Sequence, residues 1–165
     1  MLKDVPRYDC LLKAAERYPE LDPRAFEAFL HSLRTADAVS GREAEFLQQR
    51  GVSQSRFMVL MLLNRASETP STPAELADET NVTRATMTGL VDTLEKDGLV
   101  ARESSSSDRR TILVRLTEKG RTFLDSILPD YCRFVSEMMA PLSDAERKQF
   151  VRLLQKLQQG NDSKL

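Results

Sequence analysis

Residues 72–116 carry helix start and stop signals packed so closely that few architectures can accommodate them. Thr72-Pro73-Ala74-Glu75 combines a threonine N-cap, proline at the first helical position and glutamate at the third. The helix it opens is short, because Thr80-Asn81 ends it and Val82-Thr83 starts another. This next helix runs through Met87, Leu90, Val91 and Leu94 to Gly98, a C-terminal glycine cap. Two short helices joined by a tight turn, the second longer, form a helix-turn-helix. After Gly98 the pattern changes. Leu99-Val100-Ala101-Arg102-Glu103 and Thr111-Ile112-Leu113-Val114-Arg115-Leu116 read as strands around a polar turn, Ser104 to Arg110. Helix, helix, strand, turn, strand is a winged helix.

The flanks are helical. Residues 1–21 read as a short extension in which Leu11, Leu12 and Ala15 share a face. Asp22 then caps a helix with Pro23 in its first turn, and Phe26, Phe29, Leu30, Leu33, Phe46 and Leu47 give it an apolar stripe as far as Arg50, before Gly51. Ser53 caps the next helix, apolar nearly all round at Phe57, Val59, Leu60, Met61, Leu62 and Leu63, which suits the middle of a core. Beyond the wing, Thr117 opens a helix bearing Phe123, Leu124, Ile127, Leu128, Tyr131, Phe134, Val135 and Met138, with Pro129 expected to bend it. Ser143 and Glu146 form a capping box for the last helix, which carries Phe150, Leu153, Leu154 and Leu157.

The fold class expected is therefore mainly α with a small β-hairpin wing: a winged helix-turn-helix flanked by N- and C-terminal dimerisation helices. The terminal stripes are wider than one small domain covers, which predicts a two-fold homodimer. The corresponding divisions are an extension at 1–21, a dimerisation helix at 22–52, a DNA-binding lobe at 53–116, C-terminal dimerisation helices at 117–160 and a tail at 161–165.

Composition narrows the function. Of 165 residues, 41% are hydrophobic and 30% charged, as in an ordinary globular chain. No run approaches the roughly 18 apolar residues of a membrane span, and Met1-Leu2-Lys3-Asp4-Val5-Pro6 lacks a secretory core, so a cytoplasmic protein with no membrane partner is expected. With a net charge of -1, any nucleic-acid binding must use a local basic surface. Cys10 and Cys132 stand far apart and His31 is the one histidine, so neither a metal site nor a cofactor is expected. Six glycines without a phosphate-cradling loop, and no nucleophile–base set, argue against an enzyme.

Two segments suit double-stranded DNA. In the helix that Val82-Thr83 opens, Met87, Leu90, Val91 and Leu94 point inward, leaving Thr83, Arg84, Thr86 and Thr88 outside near its start. Arginine reads the O6/N7 edge of guanine, and threonine offers both a hydroxyl and a methyl group. In the turn, Arg110 suits a narrow minor groove, Asp108 holds that arginine extended, and Arg109 suits a phosphate. A winged helix used for protein–protein contact is the competing reading. It calls for an apolar or acidic outer face, whereas these faces are basic and hydroxylated. A ligand pocket is also expected. His31 and Arg34 lie one turn apart on the first long helix, and Phe57 and Met61 share a face of the second. Apolar walls with one basic group suit a phenol or hydrophobic carboxylate.

Leu94-Glu95-Lys96-Asp97-Gly98-Leu99-Val100, then Asp108-Arg109-Arg110, then Leu116-Thr117-Glu118-Lys119-Gly120 resembles the MarR family pattern in order and spacing, with a likeness running from about Pro23 to Gln159. The resemblance implies a triangular homodimer whose first and last helices interlock and whose wings straddle a palindromic operator. It also implies repression relieved by a small aromatic or anionic effector bound where the DNA-binding lobe meets the dimerisation helices. A redox-responsive regulator of the same fold is the alternative within the family. Its sensing cysteine would lie near the start of the first long helix, where this chain has Phe29. Cys10 lies well upstream, and Cys132 reads as a small core residue.

Overall fold

The computed structural model describes residues 4–65, 70–105 and 110–162. The chain divides into two compact units, one up to Leu62 and one from Leu63 onward.

In the first unit, α1 (Tyr8–Arg17) buries Leu11. It meets α2 (Pro23–Gln48) where the Arg24 guanidinium lies 4.1 Å from the centre of the Tyr8 ring. The Asp22 carboxylate caps α2 by accepting from the Arg24 and Ala25 amides at 2.9 and 3.1 Å, with Pro23 filling a first-turn position that needs no donor. Leu47 is buried at the far end, whereas Phe26, Phe29 and Leu33 stay exposed. Gly51 turns the chain with a φ of 77°, in the left-handed region. α3 (Gln54–Arg65) then begins, and the Gln54 amide ties it back to α2 by donating to the Ser40 carbonyl at 3.0 Å and the Glu43 carboxylate at 2.8 Å. Phe57, Val59, Leu60 and Leu63 of α3 are buried, but Met58 is exposed and Met61 and Leu62 are half-buried. The helix is thus one-sided rather than apolar-buried all round.

In the second unit, α4 (Pro73–Thr80) and α5 (Arg84–Lys96) are joined by Asn81 at a φ of 54°. Asparagine tolerates this left-handed conformation, which ends α4 and aims the chain into α5. Leu76 and Ala77 of α4 are buried, as are Met87, Val91 and Leu94 of α5. Strands β1 (Val100–Ser104) and β2 (Ile112–Leu116) pair antiparallel in the register Val100↔Leu116 to Ser104↔Ile112. A further bridge pairs Ser71 with Val114, each amide donating to the other's carbonyl at 3.2 and 2.8 Å. Ser71 therefore serves as a third, one-residue strand of the wing.

α6 (Glu118–Met139) starts at Thr117, runs through Pro129 without interruption, and buries Gly120, Leu124 and Ile127. α7 (Asp144–Asp162) follows the Ser143–Glu146 capping box, with the Ser143 amide 2.8 Å from the Glu146 carboxylate. Its described side chains are all exposed, Phe150, Leu153, Leu154 and Leu157 among them. Cys132 corrects one expectation. It is exposed on α6 rather than held in a core, because it falls on the outer side of a helix whose neighbouring Tyr131 and Phe134 are the half-buried residues.

Candidate nucleic-acid interface

The start of α5 is built by Thr83. Its hydroxyl accepts from the Thr86 amide at 3.1 Å and pairs with the Thr86 hydroxyl at 2.8 Å. These two threonines are therefore engaged with each other as a helix cap. The Thr88 hydroxyl donates to the Arg84 carbonyl at 2.9 Å, leaving its oxygen to accept and its methyl to make apolar contact. Arg84 is exposed and makes no ion pair among the described residues.

Arg84 and Thr88 share a shallow depression with Arg110, Thr111 and Ile112 from the wing and Thr72, Pro73 and Ala74 from the start of α4. The structure thus brings two of the four expected helix residues, Arg84 and Thr88, together with Arg110, whereas Thr83 and Thr86 are outside the depression and pair with each other at the cap. Asp108 and Arg109 lie outside the described residues. Thr72, Pro73, Ala74, Thr111 and Ile112 were not expected at this face. Thr72-Pro73 signalled only a helix start, and that segment is carried to the wing by the non-local Ser71–Val114 bridge.

The lower end of α5 is fastened from two sides. Gly98 takes a φ of 74°, as a C-terminal cap requires. The Thr117 hydroxyl donates to the Gly98 carbonyl at 2.7 Å, and the Lys119 ammonium to the Asp97 carbonyl at 2.7 Å. Gly120 packs so closely that a Cβ there would lie 2.0 Å from the Leu99 carbonyl oxygen. On the other side, Arg102 of β1 reaches Asp92 and Glu95 of α5, each at 2.6 Å. Burial opposes its charge, but the two carboxylates outweigh it and hold the guanidinium pKa above its ordinary value.

The four expected ligand-pocket residues all belong to α2 and α3. His31 and Arg34 are exposed on α2, Phe57 is buried on α3, and Met61 is half-buried.

A helix-turn-helix whose second helix shares a basic, hydroxylated face with a β-hairpin is the DNA-binding lobe of a winged-helix regulator. The comparisons give the family. The MarR family model matches residues 50–111. The transcriptional repressor YetL of Bacillus subtilis (strain 168) is 36% identical over 153 residues, 93% of this chain and 92% of YetL. The chain belongs to the MarR family of transcriptional regulators, which are DNA-binding proteins and not enzymes. Among solved structures, BpsR of Bordetella bronchiseptica, whose DNA binding is regulated by 6-hydroxynicotinic acid, matches with a TM-score of 0.65 and 27% identity, over 79% of this chain and 98% of that one. AbsC of Streptomyces coelicolor shares the fold with a TM-score of 0.76 at 20% identity, covering 82% of this chain and 93% of AbsC. Among the described residues, no helix is long and apolar enough to cross a membrane.

Proposed function

We propose that this chain is a cytoplasmic, homodimeric repressor that binds a palindromic operator and is released by a small aromatic or anionic hydrophobic effector. The observation that carries the DNA reading is the shared depression of Arg84, Thr88 and Arg110. In this reading α5 is the recognition helix in the major groove, with Arg84 on a guanine edge and Thr88 against a neighbouring base. Thr83 and Thr86 fix the helix start, where free amides face a phosphate. The wing sends Arg110 into the flanking minor groove, with Asp108 orienting it and Arg109 on a phosphate.

The dimer reading rests on the exposed apolar residues of α2 (Phe26, Phe29, Leu33) and of α7 (Phe150, Leu153, Leu154, Leu157). A second copy covers such stripes by two-fold symmetry. This assigns 22–52 and 117–160 to dimerisation and 53–116 to DNA binding. For the effector, His31 and Arg34 supply the basic side and Phe57 and Met61 the apolar wall. The aromatic carboxylate that acts on BpsR is a ligand of this class.

A salt-dependent titration against DNA from upstream of the chain's own gene, with random DNA alongside, tests the proposal. Tight, selective binding with a steep salt slope is expected. Equal, weak binding to both, followed by failure to enrich any sequence from a genomic pool, would overturn it. Aromatic carboxylates and phenols, 6-hydroxynicotinic acid first, should then release the DNA, and His31→Ala and Arg34→Ala should raise the concentration needed.

A further inference from the structure

The stripe of α5 that begins with Arg84 and Thr88 continues, at spacings of four and three, to Asp92 and Glu95. A face that meets DNA at one end thus carries two carboxylates at the other, where they would repel phosphate. Both are taken up by one residue. Arg102 places its two terminal nitrogens on Asp92 and Glu95, each at 2.6 Å, and its backbone amide donates to the second Glu95 oxygen at 3.2 Å. Only a quarter of the Arg102 side chain is exposed, so this contact is not a loose surface pair. Arg102 also lies in β1 opposite the buried Val114 of β2, the residue that bridges Ser71. One guanidinium therefore connects the recognition helix to the centre of the wing sheet.

We infer that Arg102 is a positioning residue that sets the wing against the recognition helix, and so decides whether Arg84 and Arg110 engage one DNA segment together. The inference rests on the DNA reading above. The planar fork is what suits arginine to the task, because two directed bonds to two carboxylates fix an angle that a single point charge leaves free. Pairing with both carboxylates also offsets one of their two negative charges, so the lower half of the stripe opposes the duplex less.

The test uses the full chain and two probes, a duplex that the wild type selects from a random-sequence pool and an unselected duplex. Arg102→Gln is expected to weaken binding to the selected duplex by about tenfold or more, the scale of lost hydrogen bonds to a charged group. The unselected duplex, held through phosphates that Arg102 does not touch, should change by less than about threefold. Hydroxyl-radical protection over the flanking minor groove should weaken, while guanine N7 protection in the major groove remains. The pair Asp92→Asn/Glu95→Gln should show the same loss, and adding Arg102→Gln to it should cost nothing further. Tighter binding after the carboxylates are neutralised, or losses that add, would mean that Arg102 meets phosphate directly, and would overturn the inference. Arg102→Lys keeps the charge and should not restore selectivity; full selectivity with lysine would also overturn it. A wild type that selects no sequence defeats the DNA reading itself, whereas a selective wild type with unaffected variants defeats this inference alone.

Discussion

Gly120 has no room for a side chain, because an added methyl would sit 2.0 Å from the backbone oxygen of Leu99. That obstacle is main chain and cannot rotate away, so Gly120→Ala must separate the start of α6 from the turn between α5 and β1. The expected cost is about 1–3 kcal/mol, read from urea unfolding. Gly41, within α2 and with nothing near its Cβ position, serves as the control; alanine there should gain about 0.5–1 kcal/mol of helix stability. If Gly120→Ala unfolds no earlier than the wild type, the close approach is not a constraint. The two arginines of the candidate interface should separate by kind of effect. Arg84→Ala should cost about 1–3 kcal/mol on the preferred operator and relax preference at one base position. Arg110→Ala should weaken binding more broadly, since minor-groove charge reads shape rather than base identity. Equal loss on every sequence for Arg84→Ala would place Arg84 on phosphate instead. Both arginines were legible from the chain because exposed basic residues in a helix start and a hairpin tip follow from local pattern. Gly120 was visible only as part of a motif, since the reason for it is the carbonyl of Leu99, about twenty residues earlier in the turn between α5 and β1.

The helix starts were the most legible elements, for a physical reason. A cap is made by residues three apart, so its signal lies entirely within a short stretch of sequence. Thr72 and Glu75 at α4, Thr83 at α5, Thr117 at α6 and Ser143 with Glu146 at α7 all take the roles their spacing predicts. The Ser71–Val114 bridge was not legible, because strand pairing is non-local and a single bridged residue carries no alternation. The α4 cap also has a pH dependence. The backbone amide and then the hydroxyl of Thr72 lower the Glu75 pKa, outweighing a small opposing effect of burial. A carboxylate whose pKa is depressed by folding contributes stability above its unfolded pKa, and loses it as pH falls through the folded value. Acidification below the ordinary carboxylate range should therefore weaken α4, with Glu146 acting in the same direction at α7. Glu75→Gln keeps a capping acceptor but cannot titrate, so its thermal midpoint should fall less steeply between neutral and acid pH than that of the wild type. Parallel acid limbs for the two proteins would remove Glu75 from the account. Thr72→Ala should cost about 0.5–2 kcal/mol at neutral pH, where the cap is fully formed.

Across the whole molecule, acidic and basic residues nearly cancel, leaving a net charge of -1. Affinity for a polyanion must then come from a small basic surface, and one such surface per chain makes few phosphate contacts. The proposed dimer would answer this, because binding of one half-site makes binding of the second effectively intramolecular. The exposed leucines of α7 are the feature on which the proposed dimer rests. Leu153 is half exposed and Leu157 more so, at 50% and 61%, in a helix with no buried side chain among those described. Covering the exposed half of such a leucine is worth about 1–2 kcal/mol, so replacing two of them with charged residues removes much of what would hold a dimer together. Leu153→Glu/Leu157→Glu should therefore yield a monomer by sedimentation at micromolar concentration. Its winged-helix lobe should keep its fold, because the buried residues of α4, α5, β1 and β2 are untouched. On DNA, that monomer should bind a single half-site about as well as one arm of the wild type does. It should lose the gain of roughly 100-fold or more that a palindromic site with half-sites about one helical turn apart confers. A variant that stays dimeric would show that α7 does not hold the copies together. One that is monomeric yet binds the palindrome at full strength would show that this chain reads DNA one lobe at a time.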